Sequence, residues 1–265
     1  MYDYLIKDAN IVDGTGATSY SGNIAIKDGL IVGVGGVDGQ ARETINASGA
    51  YATPGWVDVH THYDGQVSWD DKIDPSFSHG VTSIVMGNCG VGFAPCPPGG
   101  EKRMIELMEG VEDIPGTALY EGIEWGRWET FPEYIDYIGS REYALDIGTQ
   151  IPHSAVRNYV MGERALRHED ATADDLKAIG NIVEEGLRAG AVGFSTSRTI
   201  GHRSVLGEPI PGTFAEKAEL MAVGRAMKAA GKGVFQAVPA GVVGDIAGPE
   251  KWTTEQEVEL FAEIA

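Results

Sequence analysis

His60 and His62 stand two residues apart in the stretch Pro54-Gly55-Trp56-Val57-Asp58-Val59-His60-Thr61-His62-Tyr63-Asp64. Read as an extended segment, alternation puts Asp58, His60 and His62 on one face and Val57, Val59 and Thr61 on the other. Two imidazoles then converge at one strand end, where neutral ring nitrogens can hold a metal ion. The same residues also fit two histidines hydrogen-bonded in a polar interior. The setting favours ligation. Apolar residues on the opposite face suit helices packed outside, and ligands at a strand's carboxyl end suit the active face of a parallel β/α barrel.

A second chemical group follows Gly80-Val81-Thr82-Ser83-Ile84-Val85-Met86, a continuous apolar run of the kind that forms a buried parallel strand. The run ends in Gly87-Asn88-Cys89-Gly90, a sharp turn that leaves the Cys89 thiol at the strand's carboxyl end. Imidazole and thiolate together suit Zn2+, which lowers the pKa of a water at an open coordination position toward neutrality. The expected chemistry is hydrolysis: activated water attacks a carbonyl, the developing oxyanion is stabilised, and a carboxylate carries the proton to the leaving amine. Cys96 shares the loop without CxxC spacing and reads as a loop thiol, so a disulfide scaffold is not expected.

The elements that must position these groups follow from pattern. Tyr2 to Val12 reads as a strand, Asn23 to Val34 as a hairpin reversing at Asp28-Gly29, and Thr44 to Ala50 as a short strand, together a small antiparallel sheet. Pro54-Gly55 punctuates the passage into the histidine stretch, which sets a boundary near residue 53 between a first segment, 1–53, and a second, 54–265. Residues 95–142 form a long excursion containing a helix from Lys102 to Glu109 and the aromatics Trp125, Trp128, Phe131, Tyr134 and Tyr137, spaced to pack as core. Further strands are expected at Tyr143 to Thr149, Ala191 to Phe194 and Gly233 to Val238. Helices are expected from Thr172, an N-cap with Asp175 three residues on, to Arg188, from Phe214 to Ala230, and from Thr254 to Ala265 with Thr253 or Thr254 as cap and Glu257 following. Strands alternating with helices indicate a parallel sheet of βαβ units, an α/β fold. About five barrel strands can be read where a closed barrel needs eight. The expectation is an incomplete (β/α)8 TIM barrel, the first part of a longer protein.

The formal charge of -19 over 265 residues repels nucleic-acid backbones and anionic membranes, so the expected partner is a small molecule. A 43% hydrophobic fraction with 37 glycines fits a turn-rich globular protein. No basic and apolar leader precedes the first strand and no run approaches the length of a membrane span, so the expected location is cytoplasmic.

The first segment leading into PGWVDVHTHYD resembles the amidohydrolase superfamily, whose first barrel strand ends in His-x-His and whose amino-terminal segment forms part of a β-sandwich. HTHYDGQ, GVTSIVMGNCGVGFAP, WETFPEYID, IPHSAVRNYVMG and AGAVGFSTS resemble its N-acyl-D-amino-acid deacylase, or D-aminoacylase, branch over most of the chain. The resemblance implies a metal-dependent hydrolase of amide C–N bonds that takes an N-acyl amino acid. It makes His60 and His62 the first-strand ligands and Cys89 the second-strand ligand of one or two Zn2+ ions. The fourth-strand lysine that bridges two metals in some cyclic-amide hydrolases is missing, with Ser195, Thr196 and Ser197 in its place, and Cys89 takes over the bridging position.

Two departures bear on function. The branch has a histidine ligand at the end of its fifth strand, where this chain has Val238 or a neighbour. The sixth-strand histidine and the catalytic aspartate, the general base, are expected beyond Ala265. His153 and Arg157 after the third strand are candidates for substrate binding or for packing, and His202 and Arg203 after the fourth are candidates for a substrate carboxylate, which an arginine fork can grip. His79 and His168 read as structural or solvent-facing. The alternatives to a deacylase are an amidohydrolase acting on another amide, ester or cyclic amide, and a non-catalytic binding relative.

Overall fold

Asp28 and Gly29 both have positive φ (52° and 74°), the pair of angles a two-residue hairpin turn requires, and they join β2 (Tyr20–Lys27) to β3 (Leu30–Gly35). β1 (Tyr2–Ile11) pairs antiparallel with β2 but parallel with β4 (Ala41–Asn46) and β5 (Tyr51–Ala52). The sheet, ordered β3-β2-β1-β4, is therefore mixed rather than antiparallel. The reason is the return of the chain after β3, which brings Gln40 beside Tyr2 so that β4 starts where β1 starts. Leu5, Ala9, Ile11 and Ala25 are buried, whereas Leu30 and Ile31 are 69% and 67% exposed.

The computed structural model describes residues 1–241 and 252–265, and its chain divides into two units, Met1–Trp56 and Val57–Ala265. The second unit is built on a five-stranded sheet ordered β10-β9-β8-β7-β6, from β6 (Trp56–Asp58), β7 (Val81–Met86), β8 (Asp146–Pro152), β9 (Gly193–Ser197) and β10 (Val234–Val238). Strands β7 to β10 pair in parallel, as the alternation with helices requires. The helices are α1 (Glu101–Glu112), α2 (Gly116–Gly122), α3 (Phe131–Gly139), α4 (His153–Met161), α5 (Glu163–Leu166), α6 (Ala173–Ala189), α7 (Lys217–Ala230) and α8 (Thr254–Ile264). Reciprocal capping boxes start α3 at Thr130 and Glu133, and α6 at Thr172 and Asp175. The box that starts α8 pairs Thr253 with Gln256, not Glu257, which turns inward instead.

The excursion packs as core. Trp128, Phe131, Tyr134 and Tyr137 are buried, Trp128 Nε1 donates to the Phe93 carbonyl at 2.8 Å, and the Tyr134 hydroxyl donates to the Asp64 carbonyl at 3.0 Å. Among the described residues, no helix is long and apolar enough to cross a membrane.

The histidine stretch departs from a simple strand. β6 stops at Asp58, because its Oδ1 accepts from the His60 backbone N–H at 3.2 Å, the two-residue reach by which an aspartate makes its own turn. Beyond it, the Thr61 N–H and Oγ1 both bond the Val85 carbonyl, and Asn88 Nδ2 donates to both the Thr61 and Val85 carbonyls. Side chains thus replace the strand ladder and tie the histidine loop to the turn after β7. That turn is conformationally demanding. Gly87, Cys89 and Gly90 all have positive φ (76°, 55° and 72°), and a Cβ at Gly87 would sit 2.2 Å from the Gln150 carbonyl oxygen of β8. Gly87→Ala combines left-handed strain with a backbone clash. In the full-length protein it is expected to lower stability to urea by about 2 kcal/mol or more, and an unchanged midpoint would contradict this placement of the turn.

Candidate metal centre

The turn and the loop bring three donors together. His60, His62 and Cys89 each offer an atom, all within 4.8 Å of one another, and His60 Nε2 lies 3.2 Å from Cys89 Sγ. Two donors on one zinc ion sit roughly 3.5 Å apart at ordinary bond lengths, so the set needs little movement to share one. His62 Nδ1 is buried without a hydrogen-bond partner, which is how a ligand nitrogen looks when its ion is left out. The residues fit a metal.

Three strands hold Cys89 in position. Its backbone N–H donates to Gln236 Oε1 of β10 at 3.3 Å, and the Gly90 N–H donates to Ser195 Oγ of β9 at 3.0 Å. The Ser195 hydroxyl donates in turn to the Gly87 carbonyl, while Gln150 of β8 donates to Asn88 Oδ1 at 2.7 Å. Ser195, fully buried in β9, therefore has a visible task in holding the turn after β7. Val238 closes β10, half-buried against the hydrophobic core, and brings no ligand atom.

Burial pushes His62, Asp64, Cys89 and Glu112 toward their neutral forms. The Cys89 thiol is pushed up to about 12 by burial, reinforced by the carboxyls of Glu112 and Asp64. His62 is pushed down to about 4 by burial and by the neighbouring His60 and His202. Asp64 is pushed up to about 7 by burial, with a contribution from Glu112, against opposing backbone hydrogen bonds from the Gly87 and Asp64 N–H groups, and Glu112 is likewise raised to about 7 by burial and by Asp113. Glu112 Oε1 lies 3.3 Å from His62 Nε2. With the imidazole held neutral by burial, the two groups are close neighbours rather than a charged pair. Sequence reasoning missed Glu112, since nothing local to the excursion ties it to a histidine so far upstream. Asp64 stood in the quoted motif but carried no assigned role.

The remaining candidates divide. His202 belongs to the site's surroundings: its Nδ1 is 2.9 Å from Ser197 Oγ, and its charge is felt at His62. Arg203 turns back to the Gly207 carbonyl at 2.7 Å within its own loop. His153 and Arg157 are not placed to touch a substrate. His153 is fully buried, with Nε2 2.7 Å from Glu219 Oε1 and Nδ1 2.8 Å from Thr196 Oγ1, and Arg157 Nε donates to the same Glu219 oxygen at 2.9 Å. Burial lowers His153 and keeps it neutral, so its Nε2–H donates to Glu219. Burial alone would raise Glu219, but His153 and Arg157 hold it below its ordinary value, as a carboxylate. Breaking such a buried pair costs about 3 to 5 kcal/mol, which marks this cluster as structural. His79 is exposed, with Nδ1 2.8 Å from the Pro75 carbonyl, and His168 packs edge-on against Phe214; both are structural, as expected. Cys96 is a buried free thiol, pushed up to about 12 by burial.

Comparison with known proteins gives these features a family context. The model of the amidohydrolase family matches residues 43–265. An N-acyl-D-aspartate deacylase of Alcaligenes xylosoxydans xylosoxydans is 30% identical over 195 residues, covering 73% of this chain and 36% of that protein. A D-aminoacylase structure concerned with that enzyme's binuclear metal centre matches with a TM-score of 0.71 at 29% identity, covering 89% of this chain and 44% of the other. An N-acyl-D-glutamate deacylase from Bordetella bronchiseptica, solved with zinc and a phosphonate inhibitor, matches with a TM-score of 0.65 at 26% identity over the same shares. The chain thus spans less than half the length of these relatives.

The raised carboxyls give a pH signature. Between the ordinary carboxylate range and about pH 7, folded Asp64 and Glu112 keep protons that the unfolded chain has released, so the folded state binds more protons and gains stability as pH falls. His62 acts in the opposite direction, but only below its ordinary value of 6.5, where the unfolded imidazole takes a proton the folded one refuses. Metal-free full-length protein is therefore expected to gain stability on the order of 1 kcal/mol per pH unit as pH falls from about 8 to about 6.5, with Asp64→Asn flattening the slope. Urea unfolding in the presence of a chelator checks this. Stability that rises with pH across that window would contradict it.

Proposed function

The chain belongs to the amidohydrolase family, and on that premise we propose that it carries the metal-binding part of a hydrolase of amide C–N bonds whose substrates are N-acyl-D-amino acids. The observation that carries the reading is the convergence of His60, His62 and Cys89, from two loops distant in sequence, within one ion's reach. Similarity to D-aminoacylase and to the D-aspartate and D-glutamate deacylases supports the substrate class. Met1–Trp56 is proposed as one sheet of a β-sandwich.

His60, His62 and Cys89 would hold the metal, which we take to be zinc. When bound it would supply a Lewis acid for the amide carbonyl and lower the pKa of a coordinated water. The chain's own residues set the conditions. Burial keeps His62 neutral and able to ligate far below neutral pH, and the hydrogen bonds from Asn88 and to Ser195 and Gln236 keep Cys89 aimed without adjustment during turnover. His202, close enough to perturb His62, is proposed to meet the substrate's carboxylate or carbonyl.

Val238 favours a second reading, an amidohydrolase with another amide or cyclic amide as substrate, because the fifth strand ends without a ligand side chain. Substrate profiling separates the two.

In the full-length protein, His60→Ala and Cys89→Ala are each expected to lose bound metal. Deacylation of N-acyl-D-amino acids should fall by at least about 100-fold in both, since several kcal/mol of transition-state stabilisation leave with the ion. Wild-type protein without bound metal and without activity on these substrates would defeat the proposal.

A further inference from the structure

We infer that the buried amide pair Asn88–Gln150 sets the spacing between the histidine pair and Cys89, which makes Asn88 and Gln150 positioning residues for the ion; the inference rests on reading His60, His62 and Cys89 as ligands. The three donors come from two segments, and the residues that join those segments are the donors' immediate chain neighbours. Thr61 stands between the two histidines, and Asn88 directly precedes Cys89. Asn88 Nδ2 donates to the Thr61 carbonyl at 3.1 Å and to the Val85 carbonyl at 2.9 Å. The same Val85 carbonyl accepts from the Thr61 N–H at 3.0 Å and from Thr61 Oγ1 at 2.9 Å. Both residues are buried, where such bonds are electrostatically strongest. The bonds of Ser195 and Gln236 go to the turn's own backbone; the link across to the histidine segment is made by Asn88 and Thr61.

Gln150 gives the link a single geometry. A backbone carbonyl can only accept, so the Asn88 amide turns its NH2 toward Thr61 and Val85 and its Oδ1 away from them. Gln150, at the buried end of β8, meets that oxygen with Nε2 at 2.7 Å. Its reach follows from the turn itself, since Gly87 lies so close to β8 that a Cβ there would sit 2.2 Å from the Gln150 carbonyl oxygen. Both hydrogens of the Asn88 amide and its oxygen are thereby engaged. The two segments are locked with His60 Nε2 3.2 Å from Cys89 Sγ, near the roughly 3.5 Å that separates two donors on one zinc ion.

The test titrates Co2+ into metal-free full-length protein, followed by absorption, with urea midpoints measured on the same preparations. Wild type is expected to bind with a thiolate-to-cobalt charge-transfer band. Asn88→Ala should weaken binding roughly 10- to 100-fold, as loss of an outer partner of a metal ligand does, and dim that band per bound ion. Gln150→Met, similar in size but without the donor, should weaken binding by about 5-fold, the worth of one hydrogen bond, and carries the test if Asn88→Ala does not fold. Val183→Ala, a truncation on the buried face of α6, is the control: it lowers the urea midpoint and leaves Co2+ affinity and band intensity as in wild type. Wild-type affinity and band in Asn88→Ala or in Gln150→Met, or a loss in Val183→Ala as large as theirs, would overturn the positioning role while leaving the metal site standing. Absence of Co2+ binding by the wild type would instead overturn the metal reading, and the positioning role with it.

Discussion

Charge neutrality imposed by burial governs the ground around Cys89. Two carboxyls raised to about 7, a thiol raised to about 12 and an imidazole lowered to about 4 lie around one small volume, and burial is the leading cause of every shift. Neither arginine nor lysine contributes to these four shifts. Such an arrangement is poor for stability and well suited to a cation, because a divalent ion favours the thiolate and carboxylates that burial disfavours and, like burial, favours the neutral imidazole. The demanding turn at Gly87–Gly90 and the side-chain bonds that end β6 at Asp58 are the backbone's contribution to holding this volume open.

A contrasting solution occurs a short way along the same sheet. Arg198, at the end of β9, grips Glu257 of α8 through Nε at 2.6 and 2.9 Å, and Glu219 of α7 joins His153 and Arg157 of α4. Those buried charges are matched internally and fasten helices to strand ends. The difference separates structure from chemistry: where the fold needs fastening it pairs charges, and where it needs a ligand site it leaves donors unmatched.

Much of this was legible in the sequence. The parallel strands, the helix start at Thr172 and the turn at Asp28-Gly29 follow from local rules, and His60, His62 and Cys89 follow from residue type at strand ends, whereas the capping box at Thr130 was not read. The histidine stretch was read as a continuous strand because alternation cannot see that Asp58 bonds the backbone two residues on. His153 and Arg157 looked like substrate contacts because their partner, Glu219, lies far along the chain on another helix. Glu112 was invisible for the same reason, and the parallel pairing of β4 with β1 depends on a chain return that no short pattern records.

The central claim, that Cys89 and the two histidines bind one ion, is tested most directly by X-ray absorption on the zinc-loaded full-length protein. The account predicts nitrogen scatterers at about 2.0 Å and a sulfur scatterer at about 2.3 Å, the latter abolished by Cys89→Ala. A zinc environment of oxygen and nitrogen alone in the wild type, or a sulfur shell that survives Cys89→Ala, would contradict it.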